Sequence, residues 1–251
     1  MENWTNKRDS ILTTALPEAT KSYGVIPHSV FLEEIQEELY KKSYVIAEER
    51  YLTADNNKIL SGYFRIQNFT DIEIMPSIYF VNSYNKTRKA SIRIAGTVLV
   101  CKNGMLGSTP LGSYTRKHTG INALPDFRKH LIVGIAGIDA EFERLLKNKK
   151  EMKNIETTKT IIAQLVGDMI VHEELLTATQ IGILKHELSY SENFKGNTLW
   201  DFYNNTTESF KTNHPSNFDK QHVKFHSYIT DKFDLTGHRG LYGKKLELVE
   251  V

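Results

Sequence analysis

The sequence predicts an α+β fold, with an antiparallel, hairpin-rich sheet in the first half and the helices of the second half packed on it. Three observations carry that prediction. Apolar residues alternate with period 2 in paired runs between residues 44 and 101, the spacing of half-buried strands. From Phe127 onwards they recur every three to four residues, the spacing of amphipathic helices. Strands gathered in one run and helices in another favour an antiparallel sheet with helices on one face.

Residues 1–28 read as an irregular lead-in punctuated by Pro17, Gly24 and Pro27. Ser29 has the chemistry of an N-cap and opens a helix to about Lys42, with Leu32, Ile35 and Leu39 on one face. Glu33, Glu34, Glu37 and Glu38 precede Lys41 and Lys42, an order that suits the helix dipole and leaves an acidic, solvated surface. The runs Tyr44 to Leu52 and Ile59 to Ile66 flank Asp55-Asn56-Asn57, residue types that tolerate the backbone of a tight hairpin turn.

A second pair, Ile72 to Val81 and Ala90 to Cys101, surrounds the polar connection Asn82 to Lys89. In its later strand Ala90, Ile92, Ile94, Gly96, Val98 and Val100 share a buried face, and Arg93 falls on the opposite, open face. Gly96 on the buried face marks a bulge or a close backbone approach. Phe127, Leu131, Ile135, Ile138, Phe142 and Leu145 then keep one helical stripe to about Lys150. Further helices are predicted over 157–172, 177–188, 198–211 and 217–232, with a last strand over 246–251. One domain therefore spans 29–233, strand-rich over 29–122 and helical over 123–233, followed by a tail, 234–251.

A chain of 251 residues, 40% hydrophobic and 25% charged, has enough apolar surface for one large core. No stretch approaches the roughly 20 apolar residues that cross a bilayer, and the polar start lacks the apolar centre of a secretory signal. The single cysteine, Cys101, excludes an intramolecular disulfide and a cysteine-rich zinc site. A protein of the bacterial cytoplasm, without a membrane partner, is the expectation.

Charge is distributed unevenly. Residues 74–125 contain no Asp or Glu, yet hold Lys86, Arg88, Lys89, Arg93, Lys102, Arg116 and Lys117. The net charge of the whole chain is only +2, so the remaining 199 residues sum to −5. Clustered cations without interleaved acids form the footprint of phosphate binding; solvated strand edges carrying Lys and Arg against aggregation give the same pattern.

Most chemistry-bearing patterns have structural readings. His222 and His226 stand at i,i+4, a spacing that fits one metal, but near an apolar stripe of Phe218, Phe225 and Ile229. A buried, inert thiol is the expectation for Cys101. The basic, glycine-rich run from Gly237 to Lys245 lacks the spacing of a phosphate loop. No catalytic motif, metal site or cofactor is expected. Two segments of the acid-free window remain. In the first, Asn82, Lys86, Arg88 and Lys89 offer phosphate and sugar contacts, and Tyr84, if exposed, a stacking surface for a base. In the second, Tyr114, Arg116, Lys117 and His118 repeat those ingredients.

Four short motifs occur in an order that resembles the phage/plasmid-like protein family, a domain of unknown function. They are Asn82-Ser83-Tyr84-Asn85-Lys86-Thr87, Val100-Cys101-Lys102-Asn103-Gly104-Met105, Arg116-Lys117-His118-Thr119, and Leu199-Trp200-Asp201-Phe202-Tyr203-Asn204-Asn205-Thr206-Thr207. The resemblance runs from about Pro27 to Phe233 and implies a mobile-element origin. The hairpin sheet followed by helices further resembles single-strand annealing recombinases, which need no cofactor, form homo-oligomers and lay single-stranded DNA along a basic groove. On that resemblance Lys86, Arg88, Lys89, Arg116 and Lys117 hold the DNA backbone and Tyr84 or Tyr114 stacks; Arg93, read from the alternation as projecting from the open face, is counted with them as a nucleic-acid contact. Read from the residues alone, Trp200 and Asn204 lock a helix against the sheet as core packing. Two other expectations stand beside this one. The strip serves a mobile-element interaction protein, an inhibitor of host defence or a structural or injected phage protein, by meeting an acidic protein surface; or His118 joins acidic residues of the helical half in an enzyme acting on a nucleotide or nucleic acid.

Overall fold

The computed structural model describes residues 8–18, 24–67, 71–100, 104–106, 113–116 and 123–235. Its centre is an antiparallel sheet of β1 (Ile46–Ala54), β2 (Ile59–Ile66), β3 (Ile74–Ser83), β4 (Ala90–Val98) and β5 (Gly104–Leu106), in that spatial order. A sixth strand, β6 (Ser113–Arg116), also pairs with β4. β6 takes Ala90 to Arg93 and β5 takes Ala95 to Thr97, so two short strands cover one edge of β4 in succession. The β1–β2 turn places Asp55, Asn56 and Asn57 at φ of 52°, 51° and 64°, the left-handed region where short amide and carboxylate side chains are tolerated best.

Helices lie against both faces rather than one. On the first face Tyr51, Leu60, Phe64, Ile78, Phe80, Ile92 and Ile94 pack with α2 (His28–Lys41) and α3 (Ala123–Ala136). Phe31 of α2 stacks on Phe127 of α3 at 5.0 Å, and both are fully buried. On the second face Leu52, Tyr63, Tyr79, Ala95 and Leu106 meet Val223 of α8 (Phe218–Lys232). Gly62 is required where β2 passes β1 and Phe80: a Cβ there would stand 2.2 Å from the Arg50 carbonyl oxygen.

A second apolar core joins the end of β4 and β5 to the helical half. Ile74, Val98 and Met105 share one buried apolar cluster with residues of α4 (Ile138–Lys153), α5 (Lys159–Val171), α6 (Ala178–Tyr190), α7 (Leu199–Ser209) and α8. α7 is its axis. Trp200, Phe202 and Tyr203 are buried, and so are Asn204, Thr206, Thr207 and Ser209, whose side chains bond carbonyls of their own helix. The Trp200 motif is thus a core helix, as its apolar spacing suggested. Thr198 caps α7 in a reciprocal capping box with Asp201, and Thr177 does the same for α6 with Gln180. Lys149 of α4 reaches Asp71 at 2.5 Å and Glu73 at 3.0 Å, tying the helical core to the entry of β3.

Several boundaries differ from the sequence reading. The lead-in is not wholly irregular: it contains α1 (Arg8–Leu12), anchored by the fully buried Ile11 and by Arg8, whose guanidinium donates to Gln36 at 2.8 Å. Pro27, not Ser29, precedes the first turn of α2, because the His28 backbone N–H is taken by the Tyr84 hydroxyl. β4 stops at Val98, and Val100, expected on its buried face, is 65% exposed. Gly96 sits in unbroken register with Pro76, so it marks a close approach by Ile74 and not a bulge. The single helix expected to Lys150 is divided at Gly137 into α3 and α4.

Candidate nucleic-acid interface

The β3–β4 connection is built by sorting its polar residues inward and outward. Asn82 is completely buried; its amide donates to the Ile26 carbonyl at 2.9 Å and to His28 Nδ1 at 3.0 Å, and its oxygen accepts the Ser83 N–H. An acceptor Nδ1 places the His28 proton on Nε2, which donates to the Asn57 carbonyl at 3.0 Å. Tyr84 stacks on the His28 ring at 3.8 Å and 9°, with its hydroxyl accepting from the His28 N–H at 2.6 Å. Burial raises the Tyr84 pKa above the ordinary phenol value. The expected sugar contact of Asn82 and base stacking of Tyr84 are therefore corrected. At 0% and 5% exposure they fasten the connection to the start of α2 and present no surface to a ligand.

The arginines are also engaged. Arg88 donates to one oxygen of Asp219 at 2.7 Å and Arg93 to the other at 3.3 Å. Asp219 lies in the first turn of α8, so this carboxylate clips the helix to the sheet across more than 120 residues of sequence. Arg93 does not project from an open face, as the alternation alone predicted: α8 covers that face. With 9%, 19% and 5% side-chain exposure for Arg88, Arg93 and Asp219, the trio is a nearly enclosed group carrying one surplus positive charge.

Lys86 and Lys89, by contrast, are exposed at the tip. Lys86 adopts φ 64° beside Asn85, whose side chain accepts from Thr87 and donates to Asp55 on the neighbouring hairpin at 2.8 Å. The second basic segment arrives through β6. Its register places Arg116 opposite Ala90 and Tyr114 opposite Ile92. Lys117 and His118 lie outside the described residues.

Two exposed lysines join this end of the molecule and were missed in the sequence. The Lys58 carbonyl accepts the Tyr84 N–H at 2.7 Å, and Lys220 follows the Asp219 clip. Lys58 stands outside the acid-free window and Lys220 beside an acid, so neither had a charge pattern to reveal it.

The i,i+4 histidines belong to the core. His222 Nδ1 bonds the Gly104 carbonyl at 2.9 Å, and His226 lies 3.3 Å from Asn148 and 3.2 Å from the Tyr203 hydroxyl. Burial depresses both, His222 to about 4 and His226 to about 3. Among the described residues no group of three His, Cys, Asp or Glu side chains could hold a metal ion. A cavity of about 570 Å³ at the end of α6, lined by His186, Glu187, Tyr190, Glu208 and Lys211 among others, is separate from the basic tip. No helix among the described residues is long and apolar enough to cross a membrane.

Fold and surface together define an α+β protein with a lysine-bearing end to its antiparallel sheet. Comparison with protein families, curated proteins and solved structures finds no match to this chain.

Proposed function

We propose that the protein binds nucleic acid, single-stranded DNA in preference to duplex, at the lysine-bearing end of the sheet, and that it serves recombination or replication of a phage or plasmid. One observation carries the reading. The β4–β6 register sets Arg116 opposite Ala90, the residue after Lys89, so two basic segments separated in sequence lie side by side. Lys86 and Lys89 are exposed there, with Lys58 at the adjoining turn. Lysines on a rigid hairpin neutralise phosphates without reading bases. The mobile-element setting rests on the four-motif resemblance alone, and the preference for single strands on the resemblance of the hairpin sheet and its helices to annealing recombinases.

Fluorescence anisotropy with labelled single- and double-stranded oligonucleotides across a salt series tests this. Each neutralised phosphate of a single strand contributes a slope of roughly −0.7 in log affinity against log salt. Three or four lysine contacts therefore give a slope of about −2 to −3 on the same basis. Absence of binding at low salt would remove nucleic acid as the target.

A second reading has its own support. The exposed cations Lys58, Lys86 and Lys89 stand close together, with no base-reading group placed beside them among the described residues, so the chemistry of this end also fits an acidic protein surface. Capture of one host protein that survives nuclease treatment, with no oligonucleotide binding, would favour that reading.

A further inference from the structure

α3 and α4 are separated only by Gly137, and backbone hydrogen bonds continue across the junction. Gly137 has φ −89° and ψ 1°, its N–H bonds the Gly134 carbonyl at 3.1 Å, and its own carbonyl accepts the Glu141 N–H at 3.0 Å. At about 100° per residue, Lys129, Ile132, Val133, Ala136, Ala140 and Glu143 fall in one stripe, and all six are exposed. The opposite side of the same pair of helices carries the buried Phe127, Leu131, Ile135, Ile138, Phe142 and Leu145.

Ile132 and Val133 are 50% and 64% exposed at the centre of an otherwise folded surface. A cation ends the stripe on one side and a carboxylate on the other. Among the described residues neither Lys129 nor Glu143 has an ion-pair partner. The neighbouring charges are occupied within the chain: Arg128 bonds Glu34, and Asp139 accepts the Tyr44 hydroxyl at 2.9 Å.

We infer that this stripe is a two-fold interface with a second copy of the same chain, the helices antiparallel and crossing at Ala136. Lys129 and Glu143 each stand seven residues from Ala136. A two-fold axis there sets Lys129 of each copy against Glu143 of the other, and Ile132 of each against Ala140. That palindromic order of cation, apolar centre and carboxylate is satisfied by an antiparallel copy of itself, the condition for an isologous contact. The small side chains of Ala136 and Ala140 let the helix axes approach within the usual 8–10 Å. This surface is distinct from the basic end of the sheet, so the inference stands or falls independently of the proposed ligand.

Sedimentation velocity of the full chain from about 1 to 100 µM, the regime of a small, reversible interface, should show a monomer–dimer equilibrium. Lys129→Glu places like charges opposite one another twice and should weaken dimerisation by about tenfold or more. The double variant Lys129→Glu/Glu143→Lys restores the pairing and should recover dimerisation. Ile132→Glu should abolish it. These residues are exposed, so circular dichroism and thermal melting should match the parent chain. A monomer at every concentration would overturn the interface. So would a dimer indifferent to both Lys129→Glu and Ile132→Glu.

Discussion

The Asn82–Lys89 connection and the α7–α8 pair both carry many polar side chains, and they dispose of that polarity differently. In the helical pair much of it points inward. Asn204, Thr206, Thr207 and Ser209 bond their own helix, and His222 and His226 are enclosed by Phe210, Tyr203 and the β5 backbone. In the connection the polarity divides: Asn82 and Tyr84 go into the fold, Arg88 is clipped to Asp219, and Lys86 and Lys89 stay outside. A polar motif therefore marks a ligand surface only through the fraction that the fold leaves in solvent.

The contrast breaks most severely with acid. The folded-state pKa values of His222 and His226, about 4 and about 3, lie below the ordinary 6.5. The unfolded chain thus takes up protons first. Stability from these two groups is complete above about pH 6.5 and declines as pH falls towards 4. Each histidine contributes up to about 1.4 kcal/mol per pH unit. Chemical denaturation at pH 7, 6, 5 and 4 should show the midpoint falling steeply, and His226→Gln should flatten the dependence. A midpoint constant from pH 7 to 5 would contradict the burial of both rings.

Next in size is the clip. Asp219→Ala leaves Arg88 and Arg93 largely enclosed without their carboxylate and should cost about 3 kcal/mol, read as a lowered melting temperature. Asn82→Ala removes hydrogen bonds to Ile26, His28 and Ser83 and should cost about 2 kcal/mol. A ligand-contacting Asn82 would instead lose affinity with stability unchanged. Lys86→Ala and Lys89→Ala, both at the surface, should each change stability by less than about 0.5 kcal/mol.

Much of the fold was legible because the longer strands and helices carry their own periodicity: β2 begins and ends where the strand pattern of Ile59 to Ile66 does. β5 and β6 were not, because three and four residues are too few to display a period. Their existence depends on the open edge of β4. The basic tip was legible from the missing acids between 74 and 125. The disposal of Arg88 and Arg93 was not, since their partner, Asp219, lies more than 120 residues away in a helix with no charge pattern of its own. Asn82 and Tyr84 misled for a related reason: an amide and a phenol suit a buried hydrogen-bond network as well as a nucleotide, and only the approach of His28 decides between them.

On the proposed function the outward-facing lysines, and not the buried polar residues of the same motif, form the binding surface. Anisotropy titration of a labelled single-stranded oligonucleotide at low salt, comparing the parent chain with Lys86→Glu/Lys89→Glu, tests it most directly. If these lysines hold the strand, the variant loses affinity by about tenfold or more and shows a shallower salt slope, with an unaltered melting temperature. Equal affinity in the two proteins would contradict that role.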